Sequence, residues 1–273
     1  MLRPDRRRSR TLASAAAAVA LVALLGGCSG ERPTLGAVPP SVPKGSTTTS
    51  TTTVPVPEDD GVLGPDELKG WIATPQGDPQ VYVKPDTTSE RLDIGPTTEA
   101  GAPTNLAIIG DGGTAPAQAV DGWYQVALPT RPNGSTGWVP TSSVKVTKTP
   151  FAVFVDLEGR TLRVEKDGTG VFTAEIAIGT EENPTPQNGT YVTELIDNDK
   201  PDGAYGPYAF GLALHSDTLT EFNGSDGQVG IHGTNQPQLI GERVSHGCVR
   251  LKNSDIEEMV NLGLPLGVPV FIS

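Results

Sequence analysis

Two of the chain's three histidines, His232 and His246, and one of its two cysteines, Cys248, fall in the single stretch IHGTNQPQLIGERVSHGCVRL at 231–251. A free thiol with a pKa near ~8.5 is only a few per cent thiolate at neutral pH. It becomes a useful nucleophile when a base stands within hydrogen-bond reach, and on residue type both histidines qualify. Gly247, beside the thiol, lets a second molecule approach the backbone closely, and its N–H is expected to face a developing oxyanion. These residue types point to cysteine acyl transfer. The competing reading makes His232, His246 and Cys248 ligands of a metal, but no fourth ligand and no Cys-x-x-Cys pair accompany them. Neither a metal nor an organic cofactor is expected.

The N-terminus bears on where such a thiol would work. Arg3, Arg6, Arg7, Arg8 and Arg10 form a basic head, and an apolar run extends from about Leu12 to Leu25. That pattern reads as a secretory signal whose apolar core is too short and Ala-rich for a stable membrane span. It ends Leu25-Gly26-Gly27-Cys28, which resembles the bacterial lipobox. The resemblance implies removal of 1–27 and lipidation of Cys28, with the Sec and twin-arginine export routes both open. Cys248 is then left without a disulfide partner in an oxidising compartment, which means either an intermolecular bridge or a working thiol. The neighbouring histidines favour the thiol.

The full chain carries a formal charge of −12, and segment 1–27 holds five arginines against Asp5, so the remainder carries −16. Such a surface excludes nucleic acid as an expected partner and offers an anionic membrane no attraction. Membrane association is expected through the lipid alone, and a single acyl chain holds only weakly.

Composition divides the rest of the chain into three. Residues 28–60 are Pro-, Thr-, Ser- and Gly-rich, with a threonine run at 47–53 interrupted by Ser50. They bury too little to offset ordering entropy and read as a disordered tether. Residues 61–149 read as short strands at Val81-Tyr82-Val83, 106–109, 123–128 and from Gly137, with Asn133-Gly134 as a hairpin turn. Strands of that length joined by Gly/Pro turns suggest a small barrel. The run GWYQVALPTRPNGSTGWVPTSSV resembles a bacterial SH3-like domain, a family whose members often bind cell-wall peptides. Trp123 and Trp138 are read either as core residues or as a binding surface. The Asn-Gly-Ser/Thr triplets at Asn133, Asn188 and Asn223 need no glycan, because Asn-Gly is itself a turn signal.

From 150 to 273 the alternation is cleaner. Strands are expected at 151–157, 161–165 and 171–178, joined by turns at Glu158-Gly159 and Asp167-Gly168 to make an antiparallel meander. A strand at 189–195 precedes a Gly/Pro/Asp-rich excursion over 197–207, long enough to form a wall or lid over a cleft. Strands at 208–215 and 227–232 flank a loop at 216–226. His215, at a strand end, is read as a polar edge residue outside the site. One helix comes after Arg250, capped by Ser254 with Glu257 as its capping-box partner, with Ile256, Met259 and Val260 as the apolar face and Gly263 as the stop. A last strand lies at 268–272. The expected fold class is mainly β, a small barrel followed by a β-rich domain with one main helix.

The order strand, His-Gly-Thr, a loop, Ser-His-Gly-Cys-Val-Arg-Leu and then a helix resembles the YkuD-type L,D-transpeptidase catalytic domain. TPQNGTY at 185–191 and the closing strand resemble other parts of that family, and the likeness covers about 151–273. It implies Cys248 as a nucleophile forming a thioester, and His232 as the base, oriented by the backbone carbonyl of Gly233. It implies backbone N–H groups around His246, Gly247 and Cys248 as the oxyanion hole, Ser245 and His246 as residues that line and hold the site, and Arg250 as a substrate or structural contact. The implied reaction joins peptidoglycan stem peptides by 3→3 cross-links with release of D-Ala, on the outer side of the membrane, and it is open to carbapenem-type inhibitors. An L,D-carboxypeptidase using water as acceptor and a non-catalytic wall-binding lipoprotein are the alternatives.

Overall fold

The structure is a computed structural model that describes residues 63–110, 116, 120–221 and 226–273. The expected signal segment, Cys28, the tether and Asn223 lie outside the described residues. What is described is mainly β with one α-helix.

The first part contains five short strands: β1 (Trp71–Pro75), β2 (Leu106–Ala107), β3 (Trp123–Ala127), β4 (Thr136–Pro140) and β5 (Val144–Lys148). β1 lies between β2 and β5, and β3 pairs with β4. A single bridge, Ile108 to Val126, links the end of β2 to β3, and Tyr82 bridges both Trp138 of β4 and Arg91. The segment 81–83 is therefore not a strand. Only Tyr82 in it forms bridges, to Trp138 and to Arg91, and the segment is bounded by Pro79 and Pro85, which cannot donate to a ladder. The inward positions, among them Val81, Leu106, Val126 and Val139, form a closed apolar core. Trp123 and Trp138 are half-buried, and Trp123 meets the Tyr82 ring edge-on at 5.6 Å.

The second part holds the remaining strands: β6 (Phe151–Asp156), β7 (Thr161–Lys166), β8 (Thr169–Glu175), β9 (Ile178–Gly179), β10 (Asn188–Asp197), β11 (Tyr208–His215), β12 (Gln228–His232), β13 (Arg243–Ser245), β14 (Val249–Arg250) and β15 (Pro269–Ile272). Eight of them form one sheet in the order β14-β12-β11-β10-β15-β6-β7-β8. The meander β6-β7-β8 obeys the alternation of its sequence. Asp167 and Gly168 both take positive φ, 50° and 73°, as a tight hairpin turn requires. β15 inserts between β10 and β6, antiparallel to the first and parallel to the second.

Helix α1 (Asn253–Asn261) packs Ile256 and Met259, both fully buried, into the same core as Leu212, Ile231 and Val249. Its N-cap is Lys252, which makes no side-chain cap, so the expected Ser254–Glu257 box does not form. Ser254 lies inside the first turn and bonds the neighbouring Asp255 carboxylate at 3.0 Å. Asn253 does not cap the helix either; its amide reaches across to two loops, at Pro201 and Thr234. Gly263, at φ 73°, ends the helix with its N–H on the Val260 carbonyl.

A third apolar cluster joins the two parts: Leu68, Ala107 and Ala127 pack on Tyr191, Ala213 and Phe271. Tyr191 is wholly buried there and donates its hydroxyl to the Ala127 carbonyl at 3.2 Å. Burial pushes its phenol pKa well above the ordinary value, so it stays a neutral donor.

Candidate active site

β12 and β14 run parallel and adjacent, with Ile231 opposite Val249 and His232 opposite Arg250. That register sets Cys248 level with Gly230. Because side chains alternate along a strand, Cys248, Arg250 and His232 share one face of the sheet, and Gly230 puts no side chain between them. The Gly230 backbone N–H donates to the Cys248 sulfur.

His232 is 3% exposed. Its Nδ1 lies 2.6 Å from the Gly233 carbonyl oxygen. A carbonyl only accepts, so Nδ1 carries the proton and Nε2 keeps its lone pair. Burial pulls the imidazole pKa down to about 4, the Arg250 guanidinium adds to that, and the Gly233 bond opposes it. The ring is neutral at physiological pH and ready to accept a proton. Burial pushes the Cys248 thiol up, against the Gly230 N–H and the Arg250 charge, which favour the thiolate. The resting pair is thus neutral thiol and neutral imidazole. Arg250 is half-buried, and its Nε has no hydrogen-bond partner among the described residues.

The turn before the cysteine is held by Ser245, which is 1% exposed. Its hydroxyl donates to the Cys248 carbonyl at 2.5 Å and accepts from the Gly247 N–H at 3.2 Å. The Gly247 amide is therefore engaged and does not face open space. Gly247 has φ 118°, a conformation that favours glycine. His246 is exposed, while its neighbours Ser245 and Gly247 are buried.

Two features near His232 carry no motif in the sequence. The excursion between β10 and β11 folds back so that the Tyr205 ring stands 4.8 Å from the His232 ring. Gly206 in that excursion approaches Gly233 so closely that a Cβ on it would lie 2.6 Å from the Gly233 Cα. Asn253 ties these segments together. Its Oδ1 accepts from the Thr234 N–H at 2.8 Å, and its Nδ2 donates to the Pro201 carbonyl at 3.3 Å. Nothing in the local sequence marks Asn253, and only the folded excursion reveals its use.

His215, at the end of β11, is 3% exposed and not an edge residue in contact with water. Asn133, in the turn between β3 and β4, brackets its backbone, accepting from His215 N–H and donating to His215 O at 2.8 and 2.7 Å. Arg131 from the same turn donates to the carbonyls of Ser216, Leu219 and Asp226.

With this geometry in view, residues 150–272 match the YkuD family, described as the L,D-transpeptidase catalytic domain. YkuD of Bacillus licheniformis is 35% identical over 124 residues, covering 45% of this chain and 66% of the relative. YkuD of Bacillus subtilis strain 168 is 32% identical over the same coverage of 45% and 66%. The chain thus spans about two thirds of the length of these curated relatives. An L,D-transpeptidase from Mycobacterium tuberculosis H37Rv is similar at 18% identity and a TM-score of 0.42, covering 62% of this chain and 90% of that one. The segment 150–272 is thus similar in sequence to the L,D-transpeptidase catalytic domain of the YkuD family.

Proposed function

We propose that the chain is a cell-wall L,D-transpeptidase that forms 3→3 cross-links between peptidoglycan stem peptides. The observation that carries the reading is the His232 Nδ1 bond to Gly233 O, which commits Nε2, on the same sheet face as Cys248, to accepting a proton. In the proposed sequence Nε2 takes the thiol proton as sulfur attacks the carbonyl before the terminal D-Ala. The tetrahedral oxyanion needs backbone donors, each typically worth ~3–4 kcal/mol of barrier. Gly247 N–H is engaged with Ser245 Oγ, so that role falls first to the Cys248 amide. His232 returns the proton to the leaving D-Ala nitrogen, giving a thioester on Cys248. The side-chain amine of a second stem then attacks, loses a proton to His232 and releases the thiol. The Arg250 charge beside the sulfur favours the thiolate at both stages.

Residues 1–60 are assigned by the same proposal to export and anchoring through a lipid on Cys28. Residues 61–149 are assigned to an SH3-like unit that docks on β10 and β11. Incubation with a carbapenem tests the nucleophile: the intact mass of the wild-type chain should rise by one full inhibitor, and that of Cys248→Ala should not change. Product analysis with a defined tetrapeptide then tests the acceptor. A cross-linked dimer supports the transferase, and free tripeptide alone would make the protein an L,D-carboxypeptidase.

A further inference from the structure

A cavity of about 230 Å³ lies where the two parts of the chain meet. One wall is the 93–105 segment, with Asp93 and Glu99; the other carries Glu194 of β10 and His215 of β11, with Asp226. Glu194 is 4% and His215 3% exposed. Glu194 Oε2 and His215 Nδ1 are both buried without a hydrogen-bond partner among the described residues. Leaving such groups unsatisfied costs about 1–3 kcal/mol each, so a pair of them in one cavity calls for an occupant.

The chemistry of the orphans specifies that occupant. His215 Nε2 stands 2.9 Å from the Asp226 carboxylate, which only accepts, so Nε2 holds the proton and Nδ1 is a bare acceptor. Burial lowers the His215 pKa, which keeps the ring in this neutral form. Glu194 Oε2 is likewise an acceptor. Two unmet acceptors surrounded by Asp93, Glu99 and Asp226 ask for a cation with several donors. The nearby guanidinium of Arg131 is turned to the three loop carbonyls. The cavity holds several times the ~30 Å³ of one water, so a single bridging water does not fill it.

We propose that this cavity is a binding site for a primary alkylammonium group, with Glu194 Oε2 and His215 Nδ1 as its acceptors. An –NH₃⁺ has three donors and no acceptor, which matches the orphaned atoms and the charge together. Resting on the transpeptidase reading, the source of that group is the free side-chain amine of a wall peptide, held apart from the peptide at Cys248. The small β unit, which supplies Asp93 and Glu99, thereby becomes part of a substrate-holding surface.

The test is an NMR titration of the Cys248→Ala chain, which removes acylation from the readout. Nα-acetyl-L-lysine amide should give saturable shifts at Thr193, Gly211 and Gln228, and Nα,Nε-diacetyl-L-lysine amide should give none. Glu194→Gln should weaken binding at least tenfold, and the exposed change Glu99→Gln severalfold with no effect on folding. Equal shifts from the neutral diacetyl probe, unchanged affinity in both variants, or shifts confined to Gly230–Gly233 would overturn the second site while leaving the transpeptidase reading intact. Binding of cadaverine without binding of the lysine amide would overturn the peptide as its source.

Discussion

The Tyr205 ring stands 4.8 Å from the His232 ring at an interplanar angle of 57°, and Tyr205 is itself 41% exposed. One face of the candidate base is thus covered by a side chain that is wet on its outer side. The desolvation that holds His232 near 4 depends on such cover.

Removing that ring should be visible in the pH profile of acylation. In the wild-type chain the rate should fall on the acid side only as pH approaches about 4, where His232 takes a proton. In Tyr205→Ala water reaches the imidazole, and the acid limb should move up toward the ordinary value of 6.5. Carbapenem acylation rates between pH 4 and 8 measure the shift, and an unmoved limb would place the desolvation elsewhere.

The same depressed pKa links stability to pH. Between about 4 and 6.5 the unfolded chain binds a proton at this position and the folded chain does not. Stability therefore rises with pH through that window, is complete above it and is lost as pH falls toward 4, by up to about 3 kcal/mol. Burial lowers His215 in the same direction, so the comparison must be with His232→Phe. Urea midpoints at pH 7 and 4.5 should differ less in that variant than in the wild type.

Asn253 should separate stability from rate. Asn253→Ala removes two hydrogen bonds that are partly open to solvent, for about 1–2 kcal/mol. It also frees both the excursion that carries Tyr205 and the Gly233–Thr234 segment. Acylation should slow about tenfold while the melting temperature falls by only a few degrees. Asn253→Asp keeps the acceptor for Thr234 N–H and loses the donor to Pro201 O, so it should recover part of the rate.

Arg131 should govern the loop after β11. Its guanidinium holds three carbonyls of that loop across the junction, and charged hydrogen bonds of this kind are worth about 1.5–3 kcal/mol when well formed. In Arg131→Ala the amides of residues 216–221 should exchange with deuterium much faster, and those of β6 and β7 should not change. Uniform loosening would mean that the arginine supports the whole fold.

Much of this architecture is legible in the amino-acid order. The meander at 151–175 alternates apolar and polar residues with glycine at its turns, and one buried face makes its register unambiguous. The helix is legible through Ile256 and Met259, while its start is not, because it begins after Lys252 with no side-chain cap and Ser254 falls inside the first turn. The segment at Val81 looks like a strand by composition, yet between its flanking prolines only Tyr82 forms bridges. At the site, the thiol and two histidines are visible together at once. That His232, not His246, shares a sheet face with Cys248 depends on the β12–β14 register, which residue order alone does not state. Tyr205, Glu194 and His215 belong to separate segments. Their relevance comes from long-range closure, and no local pattern announces it.

The placement of β15 has a consequence for the order of assembly. β10, β11, β12 and β14 form one half of the large sheet, and β6, β7 and β8 the other; Pro269–Ile272 is the seam between them. A ribosome that has finished Pro265 has made both halves, linked through the β9–β13 pair and the Ala177–Arg250 bridge, but not the strand that pairs with each. The strands bearing the thiol and the imidazole can pair earlier, but the sheet that carries them becomes continuous only when Pro269–Ile272, made after both halves, slides into its middle.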